Sequence, residues 1–251
     1  MPQLQNVVSW LDRTLRTAEV GDYANAWNGL QVENSGAVAR IGAAVDACET
    51  VIADAAARGV TLLLVHHGLF WPGVQPVAGA LRRKLKLALD HDLAIYSAHL
   101  PLDLHPTLGN NALLCRALGF KKCEPFFVAK GQAIGLKTRA SLPLTELARR
   151  IERVLGGAPH LAPGGPSKTA CIGIVTGGAG GEVALAAAEG VDTFITGEGP
   201  HHSYTLAEEL GVNLFYGGHY ATETFGVKAL AGAVARRFRV PWEFIDHPTG
   251  L

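Results

Sequence analysis

The sequence predicts an α/β protein of two lobes, each built on a mainly parallel sheet flanked by helices. Three observations lead there. Short runs rich in Val, Ile and Leu recur along the chain, as in strands covered on both faces. Helical patterns separate these runs, and such alternation argues for parallel strands joined by helices. The alternation also breaks in the middle of the chain and then resumes. With 251 residues there is enough chain for one large α/β domain or two small ones.

Residues 2–17 place Leu4, Val7, Val8, Leu11 and Leu15 at helical spacing, which predicts an amphipathic first helix. A turn-rich stretch follows at 21–36. Strands are expected at 41–45, 60–65 and 93–97, and helices at 50–58, 77–90 and 110–118. The region 123–165 holds two short strand-like pieces and a helix at 144–155, and its Pro- and Gly-rich 158–166 reads as a loop. Strands are then expected at 170–175, 193–196 and 213–216, with helices at 181–189, 204–210 and 221–238. A last strand falls at 242–245. This divides the chain into a first lobe at 1–125, a short connecting region at 126–168 and a second lobe at 169–251, the lobes interlinked.

Composition excludes several classes. Hydrophobic residues make up 48% and charged residues 18%, a globular balance. Lys plus Arg and Asp plus Glu each number 22, so no net field draws the chain to nucleic acid or acidic lipid. The longest apolar run, 60–65, is too short to cross a bilayer. The N-terminus carries Asp12 and lacks a continuous apolar region, unlike a signal peptide. Cys48, Cys115, Cys123 and Cys171 form no CxxC pair and read as free thiols, so a cytoplasmic location is expected.

Three segments carry chemistry. Val65-His66-His67-Gly68 puts two imidazoles at the carboxyl end of a strand, where open α/β sheets gather ligands. Alternation along a strand points them to opposite faces, so they serve two neighbouring ions, or one ion if the backbone turns at Gly68. The second segment runs from Ser97 through His99 and Asp103 to His105 and Pro106, again after a strand, and Asp103 is an oxygen ligand able to bridge cations. In the third, His219 and Glu223 lie four apart and share one face if helical. Three imidazoles and two carboxylates suit Zn²⁺, Fe²⁺, Mn²⁺, Co²⁺ or Ni²⁺ rather than Ca²⁺ or Cu(I). The loop Gly177-Gly178-Ala179-Gly180-Gly181 follows a strand and opens a helix; it is either a phosphate cradle or a tight turn. Phe70 and Trp71 are either stacking groups for a base or core packing.

His66-His67-Gly68-Leu69-Phe70-Trp71, His99-Leu100-Pro101-Leu102-Asp103, Gly109-Asn110-Asn111, Thr196-Gly197-Glu198 and Gly218-His219-Tyr220-Ala221-Thr222-Glu223 resemble the Nif-three family. Asn28-Gly29-Leu30-Gln31-Val32 joins them, and the resemblance spans nearly the whole chain in the family's order. Some members are labelled GTP cyclohydrolase I type 2 homologues. The resemblance implies a dinuclear metal centre between two lobes, with two divalent ions per chain held by His66, His67, Asp103, His219 and Glu223. Asp103 and Glu223 would be the bridges. It further implies a homohexamer, a trimer of dimers, acting on a small-molecule substrate.

Two cations roughly 3.5–4 Å apart would hold a bridging hydroxide near neutral pH, which suits a metal-dependent hydrolase of a nucleotide-like compound. His99 is then a candidate acid–base group, or a group that orients a ligand. His201 and His202 are held in reserve for acid–base work, and no role is assigned to His105 or Glu198. The competing reading is a non-catalytic metal-binding hexamer that stores, delivers or senses metal, or a regulator with structural metals.

Overall fold

The computed structural model describes residues 1–251. The chain begins α1 (Leu4–Leu15), β1 (Gly29–Val32), β2 (Ile41–Asp46), α2 (Glu49–Ala57), β3 (Leu62–His67), α3 (Gly79–Asp90) and β4 (Ala94–Ser97). It continues through α4 (Leu100–Asp103), α5 (Asn110–Ala117), β5 (Glu124–Ala129), β6 (Gln132–Arg139), α6 (Leu144–Leu155) and β7 (His160–Pro163). The last stretch is β8 (Cys171–Ile174), a 3₁₀ turn, α7 (Val183–Ala188), β9 (Thr193–Thr196), α8 (His202–Leu210), β10 (Asn213–Tyr216), α9 (His219–Phe238) and β11 (Trp242–Phe244). No helix is long and apolar enough to cross a membrane.

Two compact units result. The first comprises residues 1–102 and 226–247, the second 103–225 and 248–251. In the first, five strands lie in the order β1-β4-β3-β2-β11. The four from β4 to β11 are parallel, and β1 adds antiparallel to β4 at the edge. β3 and β4 are buried along nearly their whole length, which is why 62–65 and 94–96 read as apolar runs. Leu63, Val65, Ile95, Val51 and Ile52 pack in one core cluster. α1 buries Leu4, Val7, Val8, Leu11 and Leu15, the stripe its spacing predicts.

The second unit holds six strands in the order β5-β6-β8-β9-β10-β7. Its centre, β8-β9-β10, is parallel, and the outer pairings are antiparallel. Both sheets are therefore mixed: parallel cores with antiparallel edges. α6 packs Leu147 and Ile151 onto Ile172, Ile195 and Phe215. On another cluster Phe127 stacks on Phe194 at 5.7 Å.

Two strands lie where the sequence predicts none. β1 falls within the turn-rich 21–36, and β7 within the Pro- and Gly-rich 158–166. Both are antiparallel edge strands, where proline and glycine are tolerated because one side of the ladder is unpaired.

Candidate metal centre

In the first unit the parallel register brings the carboxyl ends of β2, β3 and β4 to one edge, with Asp46 opposite His67 and Val65 opposite Ser97. His66 and His67 are the last residues of β3, and His99 follows β4 by two residues. Ring nitrogens of these three lie within 4.8 Å of one another. The opposite-face expectation for His66 and His67 does not hold at the strand end. Their rings sit 4.8 Å apart, centre to centre, and each is held by a different acceptor.

Those acceptors define the chemistry. His66, fully buried, donates Nδ1–H to Ala98 O at 2.8 Å. A carbonyl oxygen can only accept, so Nδ1 carries the proton and Nε2 is the electron-pair donor. His67 gives Nδ1–H to Asp46 Oδ1 at 2.8 Å, and His99 gives it to Asp22 Oδ1 at 2.8 Å. Asp22 also accepts from Tyr23 N, Asn28 Nδ2 and Leu100 N. Burial pushes the Asp22 carboxyl upward, but bonds from His99, Asn28 and Tyr23 outweigh it and hold the group below the usual carboxylate range.

β1 is the scaffold for both histidine segments. Asn28, just before it, accepts the backbone N–H of His99 at 2.7 Å, and Gln31 accepts that of Leu69 at 2.7 Å. Trp71 sits edge-on to His99 at 4.8 Å and to His67 at 5.8 Å, with Tyr23 6.0 Å from both Trp71 and His99. Phe70 instead packs toward Trp27 and the core.

In the second unit, three loops gather beyond the carboxyl ends of β8, β9 and β10. His219 opens α9, so His219 and Glu223 share a helix face, with His219 Nε2 and Glu223 Oε2 at 3.1 Å. His219 Nδ1–H points to Glu198 Oε1 at 2.8 Å. Burial lowers the His219 pKa, but hydrogen bonds and charge from Glu223 and Glu198 win and raise it to about 9. Asp103, 7% exposed, accepts from Asn110 Nδ2 at 2.8 Å. A carboxylate oxygen of Asp103 lies within 4.8 Å of one on Glu223, itself 2% exposed. Carboxylates this close repel unless a cation or proton is shared between them.

Glycines make this packing possible. Gly177 has φ +74°, and a Cβ there would stand 2.2 Å from Glu223 Oε1. At Gly197 a Cβ would stand 2.6 Å from the His219 Cα. The N–H groups of Gly177, Ala179 and Gly180 are engaged by Thr222 Oγ1, Thr196 Oγ1 and Glu198 O. The glycine loop therefore serves as the tight turn under Glu223.

His105 accepts the N–H groups of Thr107 and Leu108 on Nδ1, so it caps a local turn, and burial pushes its pKa down. His201 and His202 lie exposed at the start of α8. Sequence reading found the imidazoles and missed Asp22 and Asp46. Asp46 carried one usable signal, an acid at the end of an apolar strand.

The residues present fit a metal. All four imidazoles have Nδ1 anchored to an oxygen, the arrangement that aims Nε2 at an ion. The donors are imidazole and carboxylate, a borderline set that suits first-row divalent ions.

Comparison with known proteins gives a consistent result. A family model described as Duf34/NIF3 (NGG1p interacting factor 3) matches residues 2–249. A curated relative from Deinococcus radiodurans, named GTP cyclohydrolase 1 type 2 homolog, is 40% identical over 98% of this chain and 93% of its own. A relative of the same name from Pyrococcus abyssi is 41% identical over 98% of this chain and 99% of its own. Among solved structures, TTHA1606 from Thermus thermophilus is 38% identical with a TM-score of 0.90, covering 99% of this chain and 100% of that one.

Proposed function

This chain belongs to the Duf34/NIF3 family, and from that premise we propose that it binds two divalent metal ions through His66, His67, Asp103, His219 and Glu223 and uses them as a hydrolase of a nucleotide-like substrate. One observation carries the reading. His66, His67 and His219 each give Nδ1–H to an oxygen at 2.8 Å, which leaves Nε2 as the ring atom that can face an ion. Asp103 and Glu223 would supply the oxygen donors.

Two such ions, when bound, acidify water and polarise a substrate oxygen. The chain supplies the rest. Asp46 and Glu198 fix the rings of His67 and His219. Asp22 holds Nδ1–H of His99, so that His99 takes up and returns a proton at Nε2, the proposed acid–base role. Trp71 and Tyr23 pack beside these rings. The reading also carries a homohexamer, a trimer of dimers, working in the cytoplasm.

GTP is the first substrate to test, because the curated relatives bear a cyclohydrolase name. Metal-loaded protein is incubated with GTP and the products are separated by mass. The expected result is addition of water to the nucleotide, lost in Asp103→Ala and Glu223→Ala and slowed in His99→Ala. Metal-loaded protein that leaves GTP and a panel of nucleotides unchanged would remove the hydrolase and leave a metal-holding protein.

A further inference from the structure

Two of the four cysteines meet in the second unit. Cys115 lies in the last turn of α5, 2% exposed, and Cys123 is the half-buried residue before β5. The two thiols are near enough for each to shift the other's titration. Both pack with Leu118 and Phe120, and both line a cavity of about 370 Å³. Lys121 and Arg116 line the same cavity with one carboxylate, Asp103, so positive charge is in excess there. Cys48 and Cys171 lie elsewhere, before α2 and at the start of β8.

We propose that Cys115 and Cys123 form a reversible dithiol–disulfide site whose oxidant is a small acidic disulfide of the glutathione class. Cys123, the more exposed sulfur, attacks as thiolate. Its sulfur bonds to one sulfur of the oxidant, and the other leaves as a thiolate. Cys115 then gives up its proton and attacks the Cys123 sulfur, expelling the second small thiol. Two protein thiols and one small disulfide become one protein disulfide and two small thiols. The two electrons lost by the cysteines reduce the oxidant.

The division of roles has a physical basis. The Cys123 thiol is lowered to about 7, first by the neighbouring Cys115 thiol and against burial. The same contact and burial push Cys115 up. An attacking thiol works best with a pKa near the ambient pH. Disulfide formation requires the sulfurs to close to about 2.05 Å, and residues 118–122, outside any helix or strand, give the chain that links them freedom to adjust. In a reducing compartment a pair of this kind rests as thiols and responds to oxidant. The proposal is independent of the metal reading, since neither cysteine is a proposed ligand.

The test uses reduced full-length protein exposed to glutathione disulfide, then alkylated under denaturing conditions, weighed intact and mapped by peptides. Wild type is expected to take two alkyl labels instead of four, keep no glutathionyl group and yield a linked Cys115–Cys123 peptide, all reversed by dithiothreitol. Cys115→Ser is expected to keep one glutathionyl group on Cys123, and Cys123→Ser to take none on Cys115. Four labels in wild type, a glutathionyl group retained there, or a bridge to Cys48 or Cys171 would each overturn the proposal. The wild-type masses decide it even if a variant fails to fold.

Discussion

Replacing Gly177 by alanine sets one methyl group against the Glu223 carboxylate. The added Cβ would stand 2.2 Å from Glu223 Oε1, and ordinary contact begins at 3.4 Å, so the carboxylate must withdraw by about 1.2 Å. The left-handed backbone at φ +74° also costs alanine about 1–2 kcal/mol. In a chain of this length each kcal/mol lowers the melting temperature by roughly 2–4 °C, so the metal-free variant should melt about 2–8 °C lower. A ligand displaced by that distance is outside the roughly 0.5 Å tolerance of a preorganised site. Metal affinity should then fall at least roughly 10–100-fold, the range for losing a ligand's support. The assay pairs thermal melts of metal-free protein with competition against a chromophoric chelator. Gly178→Ala is the control, because its Cβ meets nothing nearer than 3.7 Å. A Gly177→Ala protein that melts lower yet binds metal like wild type would refute the placement of Glu223 as a ligand.

Other outcomes follow from the same geometry. Asp22 accepts bonds from Tyr23 N, Asn28, His99 and Leu100 N, so Asp22→Asn must aim an amide N–H at a donor; a loss of about 1–3 kcal/mol is expected in denaturant titration, and unchanged stability would show these bonds to be dispensable. His219 is raised from 6.5 to about 9 in the metal-free protein, so its stabilising contribution is complete below pH 6.5 and lost as pH rises through 9; Glu198→Gln should flatten that part of the melting-temperature profile. Since His219 is protonated at pH 7 without metal, loading should release its proton, read as a calorimetric enthalpy that varies with buffer ionisation; an enthalpy independent of buffer would contradict this. Light scattering should give the mass of a hexamer, and a monomer would set that assembly aside.

The strands that are buried on both faces were legible, since β3, β4 and β9 have no exposed side and carry apolar side chains through their middles. β1 and β7 were not, because an edge strand needs neither apolar continuity nor a full ladder. The imidazole candidates were legible because His66, His67, His99 and His219 all lie at or just after strand ends. Their acceptors were hidden by distance along the chain: Asp22 is 77 positions from His99, and Asp46 is 21 from His67. Only the strand order brings them together. The glycine loop at 177–181 was ambiguous for a related reason. A cradle and a turn look alike until Thr222, Thr196 and Glu198 are seen to occupy its backbone N–H and C=O groups.

Elemental analysis of untagged protein is the most direct test of the metal centre. Wild type, Asp103→Ala and Glu223→Ala would be purified, reloaded in turn with Zn²⁺, Mn²⁺ or Fe²⁺, and freed of excess ion. The expected result is two first-row ions per wild-type chain, with a sharp fall in both variants. Wild type that retains no ion after every reloading would contradict the central claim.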